Sequence, residues 1–524
     1  MKIMTAEEAA ALIQDGMTVA LGGFGVYSVP DALQQAVADR YARTGHPKGI
    51  TVMDGISTGN FKPNSGLGLS RMNAEGLIDT IYAGHISNPV DISMMVAENK
   101  IAAYILPLGV ISHLFRAMAG KKPGILTTVG LGTCADPREE GCIANEKARA
   151  QGRPVVELVE LGGEEYLFYR IPVPDVCLIR GTYADEKGNI SLAHEPITES
   201  QMQIAAAVHN HGGTVIVQVE DIVPADSLPP REVRIHKSLV DIVVKADPEY
   251  RIMSYGSPEY RPELTGEVRA PQGSLAPMEM GIRKIIARRG AMELRPGSII
   301  NLGIGIPSGV GSVADEEGLA DGLTMSLESG PVGGVPLEGL DFAASANPEQ
   351  IASIPDTFDL YDGGWLDMTC LGAAEIDREG NVNVSRFGTR CTGPGGFINI
   401  SQNTPKVCFM FAFTPGKPVV ETGDGSLRIL EEGAGCKFVE RVQQITFSGA
   451  YARKTGQEIL YITERAVFRL TDRGVTLTEI APGVDLEKDI LAHMEFTPAI
   501  ADDLKIMDSR LFRTEKMGLA EQAV

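Results

Sequence analysis

Apolar residues along the chain come in short runs, set between stretches of helical period and clusters of glycine. Thr18 to Leu21 and Ile50 to Met53 are β-compatible runs of four residues each. Runs of that length between turn signals predict buried strands. Between them stand Gly22-Gly23-Phe24-Gly25, Pro30, and a stretch around Ala32 to Ala42 whose apolar spacing predicts a helix. Ahead of both, Thr5 and Glu8 have the spacing of a capping box and predict a helix over Ala9 to Gln14, which Asp15-Gly16 stops.

The same order of signals returns late in the chain. Met278 to Arg289 reads as a helix with basic residues in its last turn and Gly290 beyond it. Pro296-Gly297 turns the chain into a strand at Ser298 to Leu302, followed by Gly303-Ile304-Gly305-Ile306-Pro307. The next strand, Leu323 to Leu327, stops at Glu328, and a glycine-rich tract with Gly330, Gly333 and Gly334 follows. Asp54, which ends the strand Ile50 to Met53, and Glu328 therefore take equivalent places in a repeat. A second pair of blocks supports it. Val176 to Arg180 and then Ala184-Asp185-Glu186-Lys187-Gly188-Asn189-Ile190 match Met368 to Gly372 and then Ile376-Asp377-Arg378-Glu379-Gly380-Asn381-Val382. Each pairs two apolar runs across a polar turn with glycine at the left-handed position, a hairpin signature. A third pair is Thr214 to Val219 and Lys406 to Ala412.

These repeats predict an α/β fold with two pseudo-repeated open α/β domains and a site at their interface. The expected boundaries are 1–254 for the N-terminal domain, 255–277 for a Pro/Gly-rich linker and 278–524 for the C-terminal domain. The N-terminal half is longer by about 85 residues, which places an insertion within 57–165. The polar tail from Lys505 is expected to be a surface helix.

Composition narrows the chemistry. At 524 residues the chain is too long for one core. Its net charge of −21 argues against nucleic acid, and any anionic ligand must be held by local donors. Seven scattered cysteines, none in Cys-x-x-Cys, suggest neither a disulfide framework nor a metal ribbon and fit a cytoplasmic protein. No apolar run approaches the roughly 20 residues of a membrane helix, and the N-terminus has no apolar signal core.

Candidate chemistry gathers at strand ends, where open α/β sheets bind ligands. Glu328 is a carboxylate at such an end, able to act as nucleophile, base or ribose acceptor. The Gly303/Gly305 loop with an acid downstream also suits a dinucleotide-dependent oxidoreductase, although Pro307 breaks that fingerprint and the duplication has no reason there. A third reading is a non-catalytic binding or sensor protein, which needs no nucleophile. Gly393-Pro394-Gly395-Gly396 follows Arg386 and Arg390, a nest for an anion or a tight loop. Those two arginines are candidates for phosphate, or for salt bridges to structural acids. His209 and His211 have no ligand cluster in sequence, and Trp365 reads as a core-edge residue.

Glu328-Ser329-Gly330 with its glycine tail resembles the glutamate motif of family I coenzyme A transferases. The resemblance covers nearly the whole chain. It includes Gly22-Gly23-Phe24-Gly25, Phe115-Arg116, Val129-Gly130-Leu131-Gly132-Thr133, Glu164-Glu165-Tyr166-Leu167, Gly363-Gly364, Ser385-Arg386-Phe387-Gly388, Gly395-Gly396-Phe397-Ile398-Asn399 and Ile480-Ala481-Pro482-Gly483. As a set it is most similar to the acetate/propionate branch, in which both halves are fused.

The resemblance implies exchange of coenzyme A between short-chain acyl-CoA thioesters and free carboxylic acids, by ping-pong transfer through a glutamyl-CoA thioester on Glu328. Coenzyme A and acyl-CoA are then substrates, no cofactor is bound permanently, and no metal, nucleic acid or membrane is involved. It further implies a homotetramer or homodimer, with no catalytic role for Asp54. By resemblance, and by the freedom of glycine to present its backbone, Gly303, Ile304, Gly305, Gly395 and Gly396 are the expected CoA-binding and oxyanion residues. Their N–H groups are expected to outweigh the drying of the pocket and keep the Glu328 carboxyl acidic.

Overall fold

The computed structural model describes residues 1–271 and 278–520, so 272–277 of the expected linker lie outside the described residues. The chain divides into two compact units. Unit 1 comprises Met1–Ala270, Leu327–Asp359 and Ser385–Asn399, and unit 2 comprises Pro271–Ser326, Leu360–Val384 and Ile400–Val524.

This differs from a single division at 255–277. Leu327–Asp359 and Ser385–Asn399 belong with unit 1 because their backbone partners lie there. Asn347 donates to the Glu263 carbonyl at 2.8 Å, and Gly395 to the Gly84 carbonyl at 3.0 Å.

Unit 1 is built on an eight-stranded sheet. Its strands are β1 (Lys2–Ile3), β2 (Thr18–Leu21), β3 (Ile50–Met53), β4 (Ile78–Ala83), β5 (Ala102–Ile105), β6 (Val176–Arg180), β7 (Thr214–Val219) and β8 (Ile242–Lys245). The order is β1-β8-β7-β6-β2-β3-β4-β5, with every neighbouring pair parallel. Parallel sheets are covered on both faces, which is why β5 and β6 are apolar and buried along nearly their whole length. The 57–165 insertion is not a loop. It supplies β4 and β5, then most of a three-stranded antiparallel sheet of Ile125–Thr127, Val156–Leu161 and Glu164–Tyr169.

In unit 2 the strands are β9 (Ile299–Leu302), β10 (Thr324–Ser326), β11 (Met368–Leu371), β12 (Lys406–Met410), β13 (Glu458–Ile462), β14 (Ala466–Thr471), β15 (Gly474–Ile480) and β16 (Ala499–Ile506). They run in the order β10-β9-β11-β12-β13-β14-β15-β16. The stretch β13-β12-β11-β9-β10 repeats β8-β7-β6-β2-β3 strand for strand, all parallel. Beyond these five, unit 1 adds β4 and β5 next to β3, and unit 2 adds β14, β15 and β16 next to β13.

The ladders also correct the repeat by one residue. Val19 pairs with Val176 and Val52, as Ile300 pairs with Met368 and Met325. Counting on, Asp54 corresponds to Leu327, and Gly55 to Glu328. Asp54 N–H continues the ladder to Tyr82, whereas Leu327 N–H leaves it for Pro331. A one-residue offset in a strand reverses the face of the side chain.

Local signals hold elsewhere. Thr5 and Glu8 form the expected capping box, but the helix it opens, α1, runs over Ala6–Ala10 and ends before Gln14. The helix of the first repeat is α2 (Asp31–Thr44). Tyr183–Asp185 and Glu375–Ile376 are the first arms of two matching hairpins, with Gly188 at φ +96° and Gly380 at φ +83°. In their turns the Asp185 and Asp377 carboxylates accept N–H bonds from Asn189 and Asn381. Two readings change. Gly290 lies inside its helix (Ile282–Ala291) and does not stop it; a Cβ there would come within 2.7 Å of the Met410 methyl, so the glycine serves close packing. Among the described residues, the tail after Lys505 forms no surface α-helix. It completes β16, and the following chain is held by buried Arg288 and by Glu317, which accepts the N–H groups of Met517, Gly518 and Leu519. No helix among the described residues is long and apolar enough to cross a membrane.

Candidate active site

Glu328 sits at the tip of a tight turn in unit 1. Leu327 N–H donates to the Pro331 carbonyl at 2.9 Å, and Gly330 N–H to the Leu327 carbonyl at 3.0 Å. Gly330 has φ +123°, and a Cβ there would stand 2.2 Å from the Ala352 carbonyl oxygen, so only glycine closes this turn. Ser329 is buried, its hydroxyl donating to the Ala343 carbonyl.

Against the Glu328 carboxyl lies Gly396. A Cβ built on Gly396 would be 1.7 Å from Glu328 Oε2, and the Gly396 N–H donates to that carboxyl. Glu328 itself is half-buried, its carboxyl crowded by protein. Removal of water from the carboxyl dominates, and the Gly396 N–H only partly offsets it, so the pKa is pushed up to about 7. The expectation that N–H donors would prevail is thereby corrected, because one backbone donor does not replace the lost hydration.

Backbone stacked on backbone supports Gly396. Gly395 N–H donates to the Gly84 carbonyl at 3.0 Å, and Gly84 N–H to the Gly55 carbonyl at 2.7 Å. The Gly395 carbonyl accepts Leu108 N–H at 2.9 Å. His85 is half-buried, and the drying of its ring holds it toward the neutral form; it donates from Nδ1 to the Gly393 carbonyl at 2.9 Å.

The expected donors therefore separate. Gly396 faces Glu328. Gly395 shapes the loop, and its own N–H is taken by Gly84. In unit 2, Gly303 N–H is likewise taken, by the Cys370 carbonyl at 2.8 Å, because the loop begins by extending β9. Ile304 is exposed there. Gly305, at φ +90°, presents its carbonyl to Arg283 and Ser308.

Arg386 is half-buried and donates to Glu140 at 2.9 Å and to the Ala144 carbonyl at 3.1 Å, so it is a structural ion pair and not a free phosphate ligand. Arg390 is exposed. His211 bonds the Met118 carbonyl, and among the described residues no group of three His, Cys, Asp or Glu could hold a metal ion. Trp365 is half-buried beside Tyr361.

Among the buried acids of unit 1, Asp54 and Glu199 are also raised by burial. Burial pushes Asp54 up to about 7, against a hydrogen bond from Ser57 Oγ at 2.9 Å. Burial pushes Glu199 up to about 8, against the Ser200 N–H. Sequence reading passes over Glu199. Its one local signal is the polar Thr198-Glu199-Ser200-Gln201 ahead of an alanine-rich helix.

The model of the Coenzyme A transferase family matches residues 3–246. Over 524 residues the chain is 45% identical to caffeate CoA-transferase of Acetobacterium woodii, covering 99% of this chain and 98% of the relative. The chain belongs to the coenzyme A transferase family. It is also 40% identical to acetate CoA-transferase YdiF of Escherichia coli O157:H7, covering 98% of this chain and 96% of that one. A crystal structure of the latter acyl-CoA transferase, a thioester complex with CoA, matches with a TM-score of 0.92 at 38% identity, over 99% of this chain and 97% of that chain. The protein is thus an enzyme, a CoA-transferase, and the oxidoreductase and sensor readings give way.

Proposed function

We propose that Glu328 is the covalent nucleophile of a ping-pong exchange of coenzyme A between short-chain acyl-CoA thioesters and free carboxylic acids. The observation that carries it is the Glu328 carboxyl held at a turn tip against Gly396 N–H. A Glu328 oxygen attacks the thioester carbonyl. A C–O bond forms, the C–S bond breaks, and a mixed anhydride and CoA thiolate result. The thiolate attacks the glutamyl carbon, a C–S bond forms, and the donor acid leaves as its carboxylate. The acceptor acid reverses these steps. Covalent catalysis divides one difficult exchange into easier ones. Thioester energy is conserved throughout, so the cycle calls for neither ATP nor a permanently bound cofactor.

Gly396 N–H is placed to steady developing negative charge on the glutamyl oxygens. The acid class is acetate, propionate and butyrate, following the acetate relative. Caffeate belongs in the same activity panel because the relative at 45% identity is a caffeate CoA-transferase. We assign the enzyme to the cytoplasm as a homotetramer or homodimer.

Incubation with acetyl-CoA alone should leave CoA as a thioester on the Glu328 peptide, seen by mass spectrometry. Borohydride should inactivate that form and spare the free enzyme. Glu328→Ala should abolish exchange, and Glu328→Asp, withdrawn by about 1 Å, should lose on the order of 100-fold. Normal turnover with no adduct on the Glu328 peptide would sink the covalent assignment.

A further inference from the structure

A second set of polar groups at this edge of unit 1 has no partner among the described residues. Glu199, Ser200 and Gln201 are 1–2% exposed. Glu199 Oε2, Ser200 Oγ and both amide atoms of Gln201 have no hydrogen-bond partner. Buried polar groups are almost always satisfied, and each orphan is costly. Three consecutive residues thus leave four buried polar atoms whose bonds no protein group among the described residues supplies.

The backbone agrees. Glu199 has φ +48°, a left-handed conformation unusual for glutamate, and such strain collects at ligand clamps. Ser200 precedes the helix Gln201–Asn210, so the first N–H groups of a ten-residue helix converge on the same spot. A helix N-terminus favours an anion.

This spot is continuous with Glu328. Glu199 carbonyl accepts Ile354 N–H at 3.3 Å, and Thr198 Oγ1 donates to the Ala352 carbonyl at 3.1 Å. Ala352 N–H in turn donates to the Gly330 carbonyl, two residues from Glu328. Glu199 Oε1 also lies 3.8 Å from the Cβ position of Gly55, whose carbonyl begins the Gly55–Gly84–Gly395 stack under Gly396.

We propose that Glu199, Ser200 and Gln201 hold the carboxylate of the free acid substrate, with Gln201 Nε2, the Ser200 hydroxyl and the Glu199 carboxyl as its donors. This rests on the exchange reaction proposed above. In a chain of net charge −21, an incoming carboxylate needs neutral or positive donors, and a side-chain amide, a hydroxyl and a helix N-terminus supply them. Glu199 is raised to about 8 by burial, so at neutral pH it is protonated and donates rather than repels.

Gly22 provides a handle that leaves these three residues in place. A Cβ on Gly22 would be 2.4 Å from Gln201 Oε1, the far end of a flexible side chain, so Gly22→Ala should displace the amide without unfolding the unit.

The test separates the two half-reactions. Enzyme carrying CoA on Glu328 is prepared with acetyl-CoA, freed of product and mixed with sodium acetate. The readouts are the acetate concentration at half-maximal discharge and the limiting rate. Gln201→Leu, Glu199→Ala and Gly22→Ala should each raise the half-saturating acetate concentration by about tenfold or more, with a smaller change in limiting rate. Glu199→Gln, which keeps a donor, should stay near wild type. Unchanged acetate saturation in Gln201→Leu and Gly22→Ala, with both proteins folded by circular dichroism, would overturn the proposal and leave the cluster to buried water. Failure of the wild-type enzyme to form any adduct would instead overturn the nucleophile assignment, so the two failures are distinct.

Discussion

Replacing Gly396 by alanine tests the geometry at Glu328 directly. The new methyl would begin 1.7 Å from Glu328 Oε2, whereas real Cβ contacts are essentially never closer than about 3.0 Å. The carboxyl must therefore retreat by at least about 1.3 Å. The methyl has little room elsewhere, because the Phe358 ring stands 3.1 Å from its position on another side. A misplacement of about 1 Å can cost on the order of 100-fold in rate, so adduct formation should slow by at least about 100-fold. Gly396 is not among the positive-φ glycines, so alanine brings no backbone strain, and stability should change by roughly 1–2 kcal/mol at most. The assay is rapid-quench mass spectrometry of the Glu328 peptide after mixing with acetyl-CoA. Gly372→Ala, where an added Cβ meets nothing within 4 Å, serves as the control. Wild-type adduct kinetics in folded Gly396→Ala would show that the carboxyl does not rest against Gly396 when it attacks, and the steric reasoning would fail.

Other expectations concern pH and the core. Asp54, Glu199 and Glu328 are raised from ordinary carboxylate values to about 7, about 8 and about 7. Between the ordinary range and those values the folded chain binds more protons than the unfolded one. This contribution to stability is therefore fully present below about pH 4 and lost as pH rises through about 7 to 8. Denaturation midpoints measured across that window should fall less steeply in Asp54→Asn, and an identical slope would contradict the burial argument. Arg288 is fully buried, and its guanidinium donates to the carbonyls of Arg510, Arg513 and Glu515. Arg288→Met should cost about 3 kcal/mol and raise amide exchange in residues 510–519, and unchanged protection there would refute the tethering role.

Much of the fold was legible in the chain because it rests on local rules. A short β-branched run between turn signals is a buried strand wherever it sits, so Thr18–Leu21, Ile50–Met53, Val176–Arg180 and Thr214–Val219 lie where the pattern puts them. The Asp185 and Asp377 turns each need one left-handed glycine, and the ordered repeat of such signals foretells the repeated strand order. Glu328 stood out for the same reason, as a charge where an apolar run stops before glycines. Tertiary structure alone decided the rest, because those features depend on partners far away in the chain. Gly395 and Gly303 have the same conformational freedom as Gly396, yet Gly84 and Cys370 consume their N–H groups. Arg386 has the charge to hold a phosphate, but Glu140 meets it first. The pKa of Glu328 follows from how much protein crowds its carboxyl, and no spacing of residues encodes that. Glu199, Ser200 and Gln201 read as an ordinary helix start until burial removes the water that would have satisfied them.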